Sequence, residues 1–321
     1  MMLARNAGLH TSPPIAIFAF KRPDHLRRLA RSLELCDGFE EHPVTLFIDG
    51  PRRDADRQGV EAVRAVAAEL AWPNLTVVEA PSNLGLRRSI HQGVSRLLEA
   101  ANSVIVLEDD LLLAPVALRY FRRNLDEYAD NQAIFAVSGY AYPVPEFVSR
   151  QSAMLLPVAT SWGWATWRRV WEDFSPDKAM FVSAQQSPAF RRAFAAPGII
   201  EANAMLDLQM RSKIDSWAIL WNAHLTRRRG LCVFPPRSVI KNGGLTGQGA
   251  THSSSLNIPS RLRSQLEIDA PYLEDADALE LPSVTEVDFS ALDLIRKSKS
   301  NRLGRLSTRL GSIRRQIFFW K

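Results

Sequence analysis

The sequence predicts an α/β protein with a mostly parallel central sheet flanked by helices, and three observations carry that expectation. Short apolar runs rich in strand-forming residues alternate with amphipathic helical stretches through the first half of the chain. Between Ile15 and Asp110 four strand-like runs and three helical stretches follow one another in turn. Each strand-like run ends in polar residues, where an open sheet of this kind places its ligands.

Ile15 to Phe20 is an uninterrupted apolar run, the first strand. Pro23 just beyond it suits the first turn of a helix reaching Leu33, because the N–H that proline lacks would be unpaired there anyway. Val44 to Ile48 is the second strand, and a helix of Ala, Val and Glu follows over about 57–70. The run Leu75 to Glu79 is the third strand, followed by a helix from about Gly85 to Ala100. The fourth strand begins at Ser103 and stops abruptly at Glu108, Asp109 and Asp110, with Pro115 to Phe121 opening another helix.

The second half is less regular and richer in aromatics. Six of the eight tryptophans lie within 162–221, namely Trp162, Trp164, Trp167, Trp171, Trp217 and Trp221. Trp164 and Trp167 stand one helical turn apart, as do Trp217 and Trp221, a spacing that favours core packing for most and leaves one or two to face a ligand. After about Ser255 the periodicity fades. The chain thus divides into a disordered lead (1–14), a main domain (15–255), a surface-hugging connector (256–290) and a basic amphipathic tail (291–321).

The formal net charge of +6 is local rather than general. Residues 296–321 hold nine cations and no acid, so the rest of the chain sets 31 basic residues against 34 acidic ones, a balance of −3. That body carries no electrostatic footprint for nucleic acid, and no nucleic-acid partner is expected. Cys36 and Cys232 are far apart and lack metal-ligand spacing, which excludes a disulfide framework and a zinc site and points to a reducing compartment. No stretch approaches the roughly 20 apolar residues that span a bilayer. In the tail, Leu303, Leu306, Leu310, Ile313 and Ile317 recur at intervals of three and four among Arg302, Arg305, Arg309, Arg314 and Arg315. A helix so patterned lays an apolar stripe flanked by cations on an anionic membrane surface, although Gly304 and Gly311 weaken it by about 1 kcal/mol each. The expected location is cytoplasmic, at the inner face of the cytoplasmic membrane.

Glu108, Asp109 and Asp110 are the most informative stretch. Three contiguous carboxylates at the end of a buried strand need a counter-charge, and a hard divalent cation carrying phosphates supplies one. Alternation along a strand would put Glu108 and Asp110 on one side and Asp109 on the other. The competing role is an acidic helix start.

Set beside its neighbours, the triplet completes a combination that resembles bacterial glycosyltransferases of the GT-A fold, the nucleotide-sugar-dependent enzymes of surface-polysaccharide and lipopolysaccharide assembly. It is also distantly similar to the eukaryotic N-acetylglucosaminyltransferase that initiates complex N-glycans. The resemblance spans residues 15 to about 255 and rests on Ile17 to Pro23, Phe47 to Gly50, Asn83 to Leu86, Val106 to Asp110, Ser161 to Trp167, Asp215 to Trp217 and Gly247 to His252. It implies a nucleotide-sugar donor, a glycan or lipid-linked acceptor, and Mn²⁺ or Mg²⁺ as cofactor.

Position by position, the resemblance implies that Arg22 and Asp49 border the base and ribose. Asn83 and the helix after it, with Arg87 within reach of phosphates, lie under the donor sugar and diphosphate. Glu108 and Asp109 belong to the donor side, and Asp110 is the first metal ligand. His252 completes the metal site or touches a phosphate. Asp215 is the base of an inverting reaction, with Asp207 and Asp173 as weaker alternatives and a helix N-cap as its competing role. The sequence departs from the N-acetylglucosaminyltransferase here, having Ile214-Asp215-Ser216 where that relative has two acids in a row. Two rival functions are a sugar-phosphate nucleotidyltransferase, which would usually show a glycine-rich basic loop after the first strand where this chain has Phe20-Lys21-Arg22-Pro23, and a catalytically silent membrane-tethered binding module.

Overall fold

Runs that are apolar at every position form strands covered on both faces, whereas a half-exposed strand would alternate. In the computed structural model, which describes residues 12–243 and 271–304 and side chains as far as 298, β1 (Ile15–Ala19) and β2 (Val44–Ile48) are buried throughout. β3 (Leu75–Glu79) leaves Thr76, Val77 and Glu79 exposed because it is an edge. β4 (Ser103–Glu108) is buried except at its ends. The remaining strands are β5 (Leu111–Leu113), β6 (Ile134–Ser138), β7 (Met154–Leu156), β8 (Trp164–Trp167), β9 (Leu231–Phe234) and β10 (Ile240–Asn242).

Eight of these strands form one sheet in the order β3-β2-β1-β4-β8-β6-β9-β7, while β5 and β10 pair separately. β1–β2, β2–β3, β1–β4 and β6–β9 are parallel, and β4–β8, β6–β8 and β7–β9 are antiparallel, so the sheet is mixed with a parallel majority. The chain steps outward from β1 to β2 and β3, then returns to place β4 on the other side of β1. That reversal makes the β1/β4 crevice a topological switch point, where open α/β sheets bind ligands.

Three helices connect the parallel strands: α1 (Pro23–Glu34), α2 (Arg57–Glu69) and α3 (Leu86–Leu98). α1 begins at the expected proline and buries Leu26, Leu29, Ala30 and Leu33 in one stripe. α3 approaches the sheet through Gly93, where a Cβ would stand 2.8 Å from the Phe18 ring. Phe18 and Phe47 stack there across β1 and β2 with centroids 5.0 Å apart.

In the second half, α4 (Ala117–Glu127), α5 (Arg168–Trp171), α6 (Val182–Gln186), α7 (Pro188–Ala195), α8 (Ala202–Met210) and α9 (Trp217–Arg228) complete the body. Trp164, Trp171, Trp217, Trp221, Phe174 and His224 pack into one buried aromatic cluster, so core packing is the role of most of the tryptophans. Residues 271–288 cross the β7 edge: Ala153 N donates to Glu280 O, Glu280 N to Gln151 O and Asp288 N to Leu155 O. Leu273, Ala276 and Leu279 are buried under that crossing. α10 (Phe289–Gly304) then adds Ala291, Leu292 and Ile295 to the core. Among the described residues no helix is long and apolar enough to cross a membrane.

Candidate active site

The parallel strands deliver their carboxyl ends side by side, with Phe18 level with Phe47 and Glu108, and Ile48 level with Glu79. The loops that follow form three groups of polar residues.

The first group is centred on Asp49, buried at the end of β2. One carboxylate oxygen accepts Gly50 N (2.9 Å) and Leu84 N (2.7 Å); the other accepts Asn83 Nδ2 (2.9 Å) and Gly85 N (3.0 Å). Four donors match the four lone-pair sites of a carboxylate. Asn83 also donates to Gly50 O at 2.9 Å. Gly85, at φ 75°, then opens α3 in a conformation that favours glycine. Asp49 and Asn83, expected at the ribose and the donor sugar, here bind each other and shape the loop between β3 and α3.

The second group is the acidic triplet at the switch point. Arg22, the residue before α1, donates to Asp109 Oδ1 and, at 3.0 Å, to Asp110 Oδ2. The alternation expected along a strand ends at Glu108, where β4 stops and a turn begins. Asp109 and Asp110 therefore share one guanidinium instead of facing opposite sides. Arg22, expected at the base and ribose, lies against the carboxylates.

Among the described residues Arg22 is the one cation ion-paired within the triplet, and it pairs with Asp109 and Asp110 only. Burial pushes the Glu108 carboxyl up to about 8, reinforced by Asp110 and opposed by Arg22. Burial also raises Asp109, to about 6, against the pull of Arg22. Arg22 is itself raised, because Asp109 and Asp110 outweigh the effect of its own burial. Asp109 Oδ2 is buried without a hydrogen-bond partner. Among the described residues the triplet is short of positive charge and of donors.

Among the described residues no three His, Cys, Asp or Glu side chains converge so as to hold a metal unaided. An all-oxygen set of one or two carboxylates nevertheless fits a hard cation whose other ligands come from phosphates and water. Gly243 N donates to Asp110 O at 2.7 Å, so the chain toward His252 leaves from beside the triplet. His252 itself lies outside the described residues.

The third group joins α3 to α9. Arg87 Nε donates to Asp215 Oδ1 at 2.5 Å and Arg87 Nη1 to Pro176 O at 3.2 Å. Asp215 is not the cap of α9: Ser216 is, with its Oγ accepting Ile219 N. The Asp215 carboxylate stays 61% exposed, open to a second hydrogen bond. The alternatives are committed elsewhere, Asp207 to Arg191 and Gln185, and Asp173 to Arg228 at 3.0 Å.

Sequence reasoning missed two features. Lys21 is ion-paired with buried Asp56, and Lys241 and Asn242 stand next to the triplet because β10 pairs with β5, Asn242 opposite Leu111. The only sequence signal for the second was a polar pair at the end of Val239-Ile240 followed by two glycines.

No protein-family model matches the chain. Among solved structures it is similar to the mannosyltransferase PcManGT from Pyrobaculum calidifontis in complex with GDP-Man and Mn²⁺, at 18% identity and a TM-score of 0.35 over 51% of this chain and 47% of that one. It is also similar to GalNAc-T7 with UDP, GalNAc and Mn²⁺, at 10% identity and a TM-score of 0.45 over 77% of this chain and 46% of that one. The chain spans about half the length of either structure.

Proposed function

We propose that this chain is a metal-dependent GT-A glycosyltransferase, moving a sugar from a nucleotide-diphosphate donor to a hydroxyl of a glycan or lipid-linked acceptor. The observation that carries the reading is the under-compensated acidic triplet at the β1/β4 switch point, where Asp109 and Asp110 share Arg22 and, among the described residues, no other cation is ion-paired with the triplet. A nucleotide diphosphate brings to such a site the divalent cation that a bare triplet lacks. Asp110, the most accessible acid paired with Arg22, would hold Mn²⁺ or Mg²⁺, with Asp109 kept on Arg22. When bound, the ion neutralises charge on the departing diphosphate as a Lewis acid.

The residues of the chain supply the rest. Asp49 and Asn83 hold the β3–α3 loop so that the α3 amino terminus, with its unpaired N–H groups, faces the anionic donor. Asp215 takes the proton of the acceptor hydroxyl as that oxygen bonds to the anomeric carbon and the bond to the diphosphate breaks, which inverts the configuration. Arg87 fixes the orientation of Asp215. Asn83, Arg87 and the triplet thus belong to one donor-side surface, with Asp215 at its acceptor rim. The setting we infer is cell-surface polysaccharide or lipopolysaccharide synthesis at the inner face of the cytoplasmic membrane, a reading motivated by the basic stripe of residues 302–317, most of which lies outside the described residues.

A thermal-shift screen of nucleotide sugars with and without Mn²⁺ tests the proposal. One nucleotide sugar should raise the melting temperature only when Mn²⁺ is present, and Asp110→Ala should abolish that rise. If no nucleotide sugar shifts the melting temperature in either condition, the reading is wrong.

A further inference from the structure

We infer that Asp56 is a positioning residue for the metal site: through Lys21 it braces the turn that carries Arg22, and so sets how tightly the acidic triplet takes a divalent cation. The inference rests on the glycosyltransferase reading for the identity of that cation. It goes beyond that reading in giving a role to an ion pair outside the triplet.

The turn Phe20-Lys21-Arg22-Pro23 links β1 to α1. Its far end is fixed by the helix, since Pro23 keeps Arg22 out of the helical region and Arg22 O accepts Leu26 N at 3.2 Å. Its near end is fixed by the sheet, where Asp109 N donates to Phe18 O and Asp49 N to Ala19 O, both at 3.0 Å. Lys21 lies between, and two contacts from the start of α2 hold it. Its ammonium is ion-paired with Asp56 Oδ1. Its main chain lies against Gly59, where a Cβ would stand 2.9 Å from both Lys21 O and Lys21 Cβ.

The Asp56 carboxylate is committed to this brace. Asp56 precedes the first residue of α2, where an aspartate commonly caps the helix by accepting an N–H, yet its side chain makes no such bond. Only 3% exposed, it faces Lys21 at one oxygen and Arg53 Nε, at 3.8 Å, at the other. A carboxylate taken out of water is costly to keep unless its partner is held in good geometry, so the pair fixes Lys21 as firmly as Lys21 fixes it. That stiffness passes to the next residue. Arg22 spans Asp109 and Asp110 with two different nitrogens, and a planar fork that must meet two carboxylates at once tolerates little movement of its own backbone. Guanidinium and divalent cation are alternative counter-charges for Asp110. A braced Arg22 competes at full strength, whereas a loosened one leaves the aspartates more negative and the cation binds more tightly. The brace sets the balance between the two.

Mn²⁺ titrations of the full chain, read by the electron paramagnetic resonance of the free ion with and without GDP or UDP, test this. The variant Lys21→Gln/Asp56→Asn removes the pair at constant net charge and should tighten Mn²⁺ binding about fivefold. Gly59→Ala alters no charge and suits a helix, yet crowds Lys21; it should act in the same direction and carries the test if the paired variant does not fold. Lys21→Arg keeps an ion pair and should keep the parent affinity. The decisive comparison uses an Arg22→Gln background, where removing the pair should no longer change Mn²⁺ affinity, because the effect acts through Arg22. A lower melting temperature with unchanged or weaker Mn²⁺ affinity would make the pair architectural and overturn the inference, as would an equal tightening with and without Arg22. A parent protein that binds no Mn²⁺ in any condition removes the glycosyltransferase reading together with this inference. Mn²⁺ binding indifferent to both the paired variant and Gly59→Ala removes this inference alone.

Discussion

Two carboxylate sites on the strands that flank β1 contrast sharply. Asp49, at the end of β2, receives four hydrogen bonds from its own and the following loop. In the triplet Glu108, Asp109 and Asp110, two strands away across β1, the two aspartates share a single guanidinium and one buried oxygen has no donor among the described residues. A saturated carboxylate has no capacity left for a ligand and serves the architecture. A starved cluster stays costly until a cation arrives, and that cost is what a binding site stores.

Asp110→Ala separates the two most widely. It should reduce Mn²⁺-dependent transfer by about 10³-fold, since Lewis-acid stabilisation is worth several kcal/mol at about 1.4 kcal/mol per tenfold. The melting temperature should be unchanged or higher, because one charge leaves an under-compensated cluster. A steady-state assay beside a melting curve checks both halves, and a large loss of stability would place Asp110 with the architectural acids. Asp49→Ala should do the reverse in stability, costing about 4 kcal/mol as four donors lose a charged acceptor, read by urea denaturation. If Asp49→Ala left stability intact and abolished only donor binding, the contrast would collapse.

Arg22→Gln probes the boundary between the sites. Removing the guanidinium paired with buried Asp109 should destabilise the protein by about 3 kcal/mol, and Mn²⁺ should recover more of the loss than it adds to the parent. Equal Mn²⁺ effects on parent and variant would argue against a cation at the triplet.

A narrower effect, confined to acid pH, concerns a buried group without a hydrogen-bond partner among the described residues. His224 is buried on Trp221, with centroids 5.6 Å apart, and neither ring nitrogen has a hydrogen-bond partner among the described residues. Burial lowers its imidazole from 6.5 to about 4. The folded value lies below the unfolded one, so stability is full above about pH 6.5 and is lost as pH falls through 4, by up to roughly 3 kcal/mol. His224→Phe should flatten that part of the acid limb in melting curves taken between pH 7 and 4.

Much of the fold was legible because its cause is local. Ile15–Ala19 is apolar at every position and Val44–Ile48 at every position but Thr45, and only strands buried on both faces need that. α1 begins at Pro23 as its sequence expects. β5 and β10 gave no such signal, being three residues each with a pairing partner more than a hundred residues away. The site divides in the same way. Carboxylates at the end of an apolar run were visible, but their partners were not, since Arg22 reaches Asp110 across 88 residues of sequence and Arg87 reaches Asp215 across 128. Asp215 shows the limit well, because its role as a helix cap was equally consistent with the sequence until Ser216 was found to hold the cap.

The sequence by itself determined which residues must be buried, where the strands of the first half end, and that three acids stand at one of those ends. Burial and periodicity act between near neighbours and are written residue by residue. Only the tertiary structure decided which acid is satisfied and which is starved. Charge compensation depends on distance in space, and the cations that settle it arrive from strands and helices far along the chain.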